Sequence, residues 1–352
     1  MNGTVFAFSP PNGVEPHEMI VSPGSLYSAV SNVTCKLLNG RIADLGRVPA
    51  DRVGGGTGPA VHRYRSPEWL VPAGPPVLLV PSPGAPARCF DLRRGGSLAE
   101  HVAGAGRLAY LLDEHRAGPA DPEAGLTEWV RHILPAAIRR VSHDAGGQPV
   151  QLVGWCLGGV LALLAAADDP GLPIASVAAI APTTGLRRAG PADRLADLER
   201  RLLRPYGTLL RIDDRDHLAQ LEAADHFAAA LRVHPGRALT EPYAAFLGAG
   251  DLTGEGLRLG GRRVDLARVG VPVLAVAGAG DRTAPPRAVR DLTLALRSSP
   301  RVRFEIAPGD HLSVLTGIRA RATTWSHLDR WLDEGILRHG IRPHRRPAAA
   351  TV

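Results

Sequence analysis

Between residues 77 and 337, short apolar runs alternate with longer stretches of helical spacing, and this alternation restricts the fold more than any other feature of the chain. Val77-Leu78-Leu79-Val80 is a continuous apolar run closed by Pro81, the pattern of a strand buried on both faces. Leu108 to Leu112, Val150 to Val153, Ser176 to Ala181, Val271 to Ala277 and Val302 to Ile306 read the same way. Helical spacing fills residues 97–106, 126–141, 158–167, 286–296 and 321–337. In the second of these, Trp129, Ile133, Leu134, Ala137 and Ile138 fall on one side. Strands and helices in this alternation predict a doubly wound, mostly parallel α/β sheet with helices on both faces.

The remaining chain is organised around that sheet. Residues 1–60 are predicted as an N-terminal arm and a helix. The arm is rich in Pro and Gly over residues 9–24. The helix covers residues 28–46, with Ala29, Val30, Val33, Leu37 and Leu38 in apolar spacing. Residues 61–185 and 266–338 form the sheet core. Between them, residues 186–265 are rich in Arg and Asp, helical in parts and poor in strands. They are read as a helical cap over the carboxyl edge of the sheet, where ligands bind in such folds. Residues 339–352 are expected to be a disordered tail.

Composition excludes several classes. At 45% hydrophobic residues over 352, the chain is not disordered throughout. No apolar run approaches the roughly 18–20 residues of a transmembrane helix, so no transmembrane segment is expected. Met1 to Pro11 lacks the basic and apolar regions of a secretory signal, and a cytoplasmic location is expected. The formal net charge of +7 suggests a polyanion partner at first sight. Yet Lys36 is the one lysine, so the charge is an arginine habit of the kind a GC-rich bacterial genome imposes. Both signs are interspersed, as in Asp213-Asp214-Arg215-Asp216, and no nucleic-acid partner is expected. Three cysteines, Cys35, Cys89 and Cys156, do not make a disulfide framework.

One motif carries chemistry. After the strand ending at Val153 come Gly154-Trp155-Cys156-Leu157-Gly158-Gly159 and then a helix. This is a G-x-nucleophile-x-G elbow with cysteine at the reactive position. Gly154, Gly158 and Gly159 leave room for a sharp strand-to-helix turn. The turn exposes the Cys156 thiol at a helix N-terminus, where the helix dipole favours thiolate. The Leu157 amide can serve as half of an oxyanion hole. Cys35 and Cys89 have no such setting and read as small apolar residues.

A cysteine nucleophile requires a base and a group that orients the base. Asp281 follows the strand Val271 to Ala277 through Gly278-Ala279-Gly280, and His311 follows the strand Val302 to Ile306 through Ala307-Pro308-Gly309-Asp310. Nucleophile, acid and histidine in this order match the α/β-hydrolase arrangement. Asp310 is a weaker candidate for the acid, because a residue seldom turns back onto its neighbour's ring. The second oxyanion donor belongs to the loop after the first parallel strand. Pro83 and Pro86 have no N–H, so Ser82, Gly84 or Ala85 must supply it, with Gly84 favoured. His217, His226 and His234 are spaced nine and eight apart and suggest no metal site. No dinucleotide fingerprint is present either.

These residues resemble the polyhydroxyalkanoate (PHA) synthases. Val153 to Gly159 is similar to that family's cysteine-bearing lipase box. Val80-Pro81 with Phe90-Asp91-Leu92 and Ser97-Leu98 resembles its first-strand region. Leu259-Gly260-Gly261, Val264-Asp265-Leu266 and Val271-Pro272-Val273 resemble the segment before its catalytic aspartate. Gly309-Asp310-His311 stands at its catalytic histidine loop. The resemblance implies an α/β-hydrolase fold and a short catalytic subunit. It implies that Cys156 takes an acyl group from a hydroxyacyl-CoA, with Asp281 and His311 on the other catalytic positions. CoA enters as part of a substrate, and no cofactor is implied. A second synthase subunit or a homodimer is the implied partner. Hydrolysis of the same acyl-enzyme, by a thioesterase or esterase, is the alternative. A non-catalytic granule or subunit partner is a third reading.

Overall fold

The computed structural model describes residues 23–55, 59–113, 122–183, 211–234 and 256–339, together with 208, 243, 245–247, 252 and 344–345. The strands, in chain order, are β1 (Ala50–Arg52), β2 (Val61–Tyr64), β3 (Leu70–Val71), β4 (Val77–Val80), β5 (Ala109–Leu112), β6 (Val150–Trp155), β7 (Ile174–Ile180), β8 (Leu257–Leu259), β9 (Arg262–Val264), β10 (Val273–Gly278), β11 (Val302–Ala307) and β12 (His344–Arg345). The helices are α1 (Pro23–Asn39), α2 (Leu98–Gly104), α3 (Pro122–Glu128), α4 (Leu134–Asp144), α5 (Leu157–Asp168), α6 (Arg215–Val233), α7 (Pro286–Leu294), α8 (Ser313–Thr316) and α9 (Thr324–His339).

Eight strands form one sheet in the order β1-β2-β5-β4-β6-β7-β10-β11. The pairs from β5 to β11 are all parallel. β2 pairs antiparallel with β5, and β1 antiparallel with β2. All six strands expected from the apolar runs are present. Every residue of β4, β5, β6 and β10 is buried, as strands covered on both faces must be. β11, at the sheet edge, is mostly half-exposed.

β6 leads directly into α5, which is buried from Leu157 to Ala167. A helix apolar on all sides belongs inside the molecule. The helix expected over residues 126–141 is longer and interrupted. α3 and α4 are joined by a π turn at Trp129–Ile133, and Pro135 is the second residue of α4. Proline has no N–H to donate to the preceding turn, and a local widening accommodates that loss.

Several boundaries differ from the sequence reading. The stretch 1–60, read as an arm and helix, also supplies β1 to the sheet. β1 and β2 carry no apolar run because they are short and antiparallel, and their polar pairs Asp51-Arg52 and His62-Arg63 fall on both faces. In the tail, read as disordered, His344 and Arg345 pair with Val71 and Leu70. α1 starts at Pro23 and ends before Gly40, whose φ is +69°, so the expected helix over 28–46 is displaced toward the N-terminus. Its apolar stripe faces outward: Leu26, Val30, Leu37 and Leu38 are all exposed. The polar side holds it to the cap instead. Asn32 donates to the Ile212 carbonyl at 2.9 Å, and Lys36 pairs with Glu222.

Of the insertion at 186–265, the described part contains α6 and the hairpin β8–β9. The hairpin turn, Gly260-Gly261, has φ of +51° and +73°, the left-handed values that a two-residue turn matching strand twist requires. Residues 186–207 lie outside the described residues.

Candidate active site

Cys156 sits between the last residue of β6 and the first of α5, with φ +56° and ψ −128°. A non-glycine residue with this backbone is strained and must be held by its surroundings. Its N–H donates to the Ile180 carbonyl at 3.0 Å, which ties the elbow to β7. The flanking glycines are required by contact. A Cβ on Gly154 would lie 2.5 Å from the Gly159 Cα. On Gly158 it would lie 2.2 Å from the Val80 carbonyl oxygen and 2.6 Å from that of Pro81. On Gly159 it would lie 3.2 Å from the Ala179 Cβ, a tight but less severe contact.

The Cys156 thiol is buried and faces three groups. Its Sγ is 3.6 Å from the Thr183 hydroxyl. Thr183 is 1% exposed and follows β7. The Leu157 amide and the His311 imidazole also act on the sulfur. Burial alone pushes the thiol pKa up. His311, Thr183 and the Leu157 N–H together outweigh it and hold the thiol below its ordinary value.

Asp281 and His311 come from the carboxyl ends of β10 and β11. The Asp281 side chain is fully enclosed. Its Oδ1 accepts from the N–H groups of Thr283 (2.8 Å) and Ala284 (2.9 Å). Its Oδ2 lies 2.8 Å from His311 Nδ1. Burial lowers the imidazole pKa, but the Asp281 and Cys156 charges raise it further, to about 10. Nε2 is buried and has no partner in ordinary hydrogen-bond geometry; its coupling to the Cys156 sulfur is looser, as is common before substrate binds.

Two loops must approach closely to bring this pair together. The Gly280 N–H donates to the Gly309 carbonyl at 2.9 Å. A Cβ on Gly278 would come within 2.8 Å of that same oxygen. Asp310 is engaged elsewhere: its Oδ1 accepts from the N–H (2.9 Å) and hydroxyl (2.7 Å) of Ser313 at the start of α8. Asp310 thus closes the turn before α8, and Asp281 is the carboxylate on the histidine.

Trp155, the x of G-x-C, supports the same loop. Its Nε1–H donates to the His311 carbonyl at 2.9 Å, and its ring packs on the imidazole with centroids 5.2 Å apart. On its other side it meets Phe227 of α6 at 6.3 Å. Neither Trp155 nor Thr183 was selected from the sequence. Thr183 carried one available signal, a polar residue just past a strand's carboxyl end.

For the oxyanion, the contact of Gly158 with Val80 and Pro81 places the loop after β4 beside the elbow. The Ala85 N–H is turned onto the Ser82 carbonyl at 3.0 Å. This takes Ala85 out of the three expected donors. Cys89 is fully buried, and burial and the nearby Cys156 charge raise its thiol well above the ordinary range. Cys35 lies on α1. His217 and His226 are on α6 and His234 caps it. Among the described residues, no helix is long and apolar enough to cross a membrane.

Comparison with known proteins agrees with this architecture. Residues 77–322 match the model of the alpha/beta hydrolase family. The chain is 21% identical over 350 residues to the poly(3-hydroxyalkanoate) polymerase subunit PhaC of Thiocystis violacea, covering 89% of this chain and 98% of that one. It is 23% identical over 327 residues to the PhaC subunit of Allochromatium vinosum, covering 85% and 92%. Among solved structures, a soluble variant of monoglyceride lipase from Saccharomyces cerevisiae aligns with a TM-score of 0.54 at 15% identity, over 82% of this chain and 96% of the lipase. That last likeness is one of fold. The chain belongs to the alpha/beta hydrolase family, is similar within it to PHA polymerase subunits, and is an enzyme of the acyltransferase or hydrolase kind.

Proposed function

We propose that the protein transfers acyl groups through an acyl-cysteine at Cys156, taking them from a hydroxyacyl-CoA or a related acyl thioester. The observation that carries this reading is the Asp281–His311 pair, 2.8 Å apart, coupled to a thiol on a strained elbow. The Cys156 thiolate attacks the thioester carbonyl, and the oxyanion is held by the Leu157 amide and a donor at Gly84 or Ser82. The leaving thiolate takes its proton from His311. Neutral His311 then removes a proton from an incoming hydroxyl, which attacks the acyl-cysteine and frees the Cys156 sulfur. Asp281 orients the imidazole and stabilises its charged form.

The likeness to polymerase subunits supports a hydroxyl acceptor, with an ester as product, and a second subunit or a further copy of the chain as partner. Water as acceptor gives a thioesterase. That second reading is favoured by the cap's composition, since residues 186–265 hold no tryptophan.

Incubation with 3-hydroxybutyryl-CoA distinguishes the outcomes. Released CoA with insoluble polymer supports synthesis. Released CoA with free acid supports hydrolysis. No CoA release from any acyl thioester leaves a non-catalytic partner role. Full activity in Cys156→Ala would sink the assignment.

A further inference from the structure

The loop that carries His311 is tied at three points, and one of them leads out of the sheet. The Gly309 carbonyl accepts from Gly280 at 2.9 Å. The Asp310 and Leu312 carbonyls accept from the N–H groups of Val314 and Leu315, at 2.9 and 3.0 Å, as the turn into α8 forms. The His311 carbonyl, between them, is taken instead by Trp155 Nε1 at 2.9 Å. An indole has a single donor, whose direction is fixed by the orientation of its ring. Whatever orients the Trp155 ring therefore orients the His311 peptide. Trp155 is 4% exposed and contacts two rings. The His311 imidazole lies at 5.2 Å between centroids with planes 39° apart, and Phe227 meets the indole edge to face at 6.3 Å and 66°. Both distances fall where aromatic rings attract by edge and face.

Phe227 is delivered by α6, and α6 is fixed close to it. The buried Arg93 donates through Nη2 to Asp216 at 2.7 Å and through Nε to Gln220 at 3.1 Å. Glu222 Oε2 accepts from the N–H groups of Ile42 and Ala43, at 2.6 and 2.8 Å. Phe227 follows five residues after Glu222, about 7.5 Å along the helix axis, and is buried. The inserted helix thus reaches the catalytic histidine through two side chains. Neither of them can accept the thiol proton, so any part they take in the chemistry passes through His311.

We infer that Phe227 and Trp155 are positioning residues, through which α6 aims the His311 imidazole at the Cys156 sulfur. The inference rests on the acyl-transfer reading for the value of that aim in turnover, and not for the aim itself. Without the phenyl edge the indole rocks, and its N–H leaves the His311 carbonyl for part of the time. The imidazole stays on Asp281 through Nδ1 but swings about that bond and spends less time on the sulfur.

Alkylation of Cys156 by iodoacetamide across pH, read by mass on the Cys156 peptide, tests the aim without turnover. Two variants test it independently. Phe227→Leu removes the ring edge. Trp155→Phe keeps a ring and removes the N–H, and it carries the test by itself if Phe227→Leu does not fold. In each, the Cys156 inflection moves to higher pH, and kcat for CoA release falls about tenfold while KM changes by less than about twofold. In the His311→Gln background neither change adds a further shift of the inflection, because its route to the sulfur is gone. An unchanged inflection in either folded single variant, or an equal shift with and without His311, overturns the inference. A shift that requires His311, in a protein that releases CoA from no thioester, defeats the acyl-transfer reading and leaves the positioning role standing.

Discussion

Asp281 Oδ2 and His311 Nδ1 lie 2.8 Å apart, while the other oxygen of the same carboxylate is filled by two backbone N–H groups. The carboxylate therefore cannot rotate without losing one set of partners. An amide at this position would keep its oxygen on Thr283 and Ala284 and turn its NH2 group toward the imidazole. Nδ1 would then have to accept, and the proton would move to Nε2. Asp281→Asn should thus fold normally and lose about 10³–10⁴-fold in kcat. Steady-state CoA release measures this, and a loss under tenfold would falsify the orienting role of Asp281.

The His311 imidazole should hold its proton at neutral pH, and its charge favours the thiolate form of Cys156. Cys156 is held below its ordinary pKa, and His311 is raised to about 10. As an acid whose pKa is lowered, Cys156 becomes reactive at a lower pH than a free thiol. As a base whose pKa is raised, His311 keeps its proton until about pH 10. Carboxamidomethylation by iodoacetamide, followed across pH, should show the Cys156 inflection below that of a free cysteine. In His311→Gln the inflection should move up, because burial is then opposed only by Thr183 and Leu157. An unchanged inflection would remove His311 from the thiol's surroundings.

Thr183 lies 3.6 Å from the sulfur and is buried with it. Thr183→Val retains shape and removes the hydroxyl. The same alkylation profile should move to higher pH, with kcat falling by up to about tenfold, the scale of one hydrogen bond to a charged group. No change in either quantity would make Thr183 a packing residue.

Glycine substitutions separate steric need from ordinary helix propensity. Gly158→Ala places a Cβ 2.2 Å from the Val80 carbonyl oxygen, and backbone must shift to admit it. The expected loss is about 2–3 kcal/mol of stability, with the elbow displaced. At the end of α2, a Cβ on Gly104 meets nothing within 4 Å. Gly104→Ala should be neutral or gain up to about 1 kcal/mol. Urea unfolding midpoints give both numbers, and equal effects would show that the elbow is not tightly packed.

Much of the core was legible because its chemistry is repetitive along the chain. A strand buried on both faces has to be apolar throughout, so β4, β6 and β10 stood out as runs. The elbow was legible because Gly154 and Gly158 are demanded by backbone contacts that leave a fixed spacing. Asp281 and His311 followed from strand ends. What escaped had weaker local marks. β1 and β2 are strands of three and four residues, β1 at the sheet edge and β2 next to it, with polar positions facing water. Trp155 and Thr183 take their meaning from contacts across the sheet, which no spacing encodes. The stripe of α1 was visible, but its direction was not. Amphipathic spacing gives a face, and only the ion pair and hydrogen bonds of its polar side turn that face outward.

The backbone at Cys156, with φ +56°, sets the chain's resting stability against its chemistry. A glycine there would relieve a strain on the order of 1–3 kcal/mol. A chain selected only to stay folded would drift toward that glycine and lose its sulfur. The cysteine is thus maintained at a thermodynamic disadvantage. Cys156→Gly should unfold at a higher urea concentration than Cys156→Ala, although both lack the thiol, and the difference between them measures how tightly the elbow is wound.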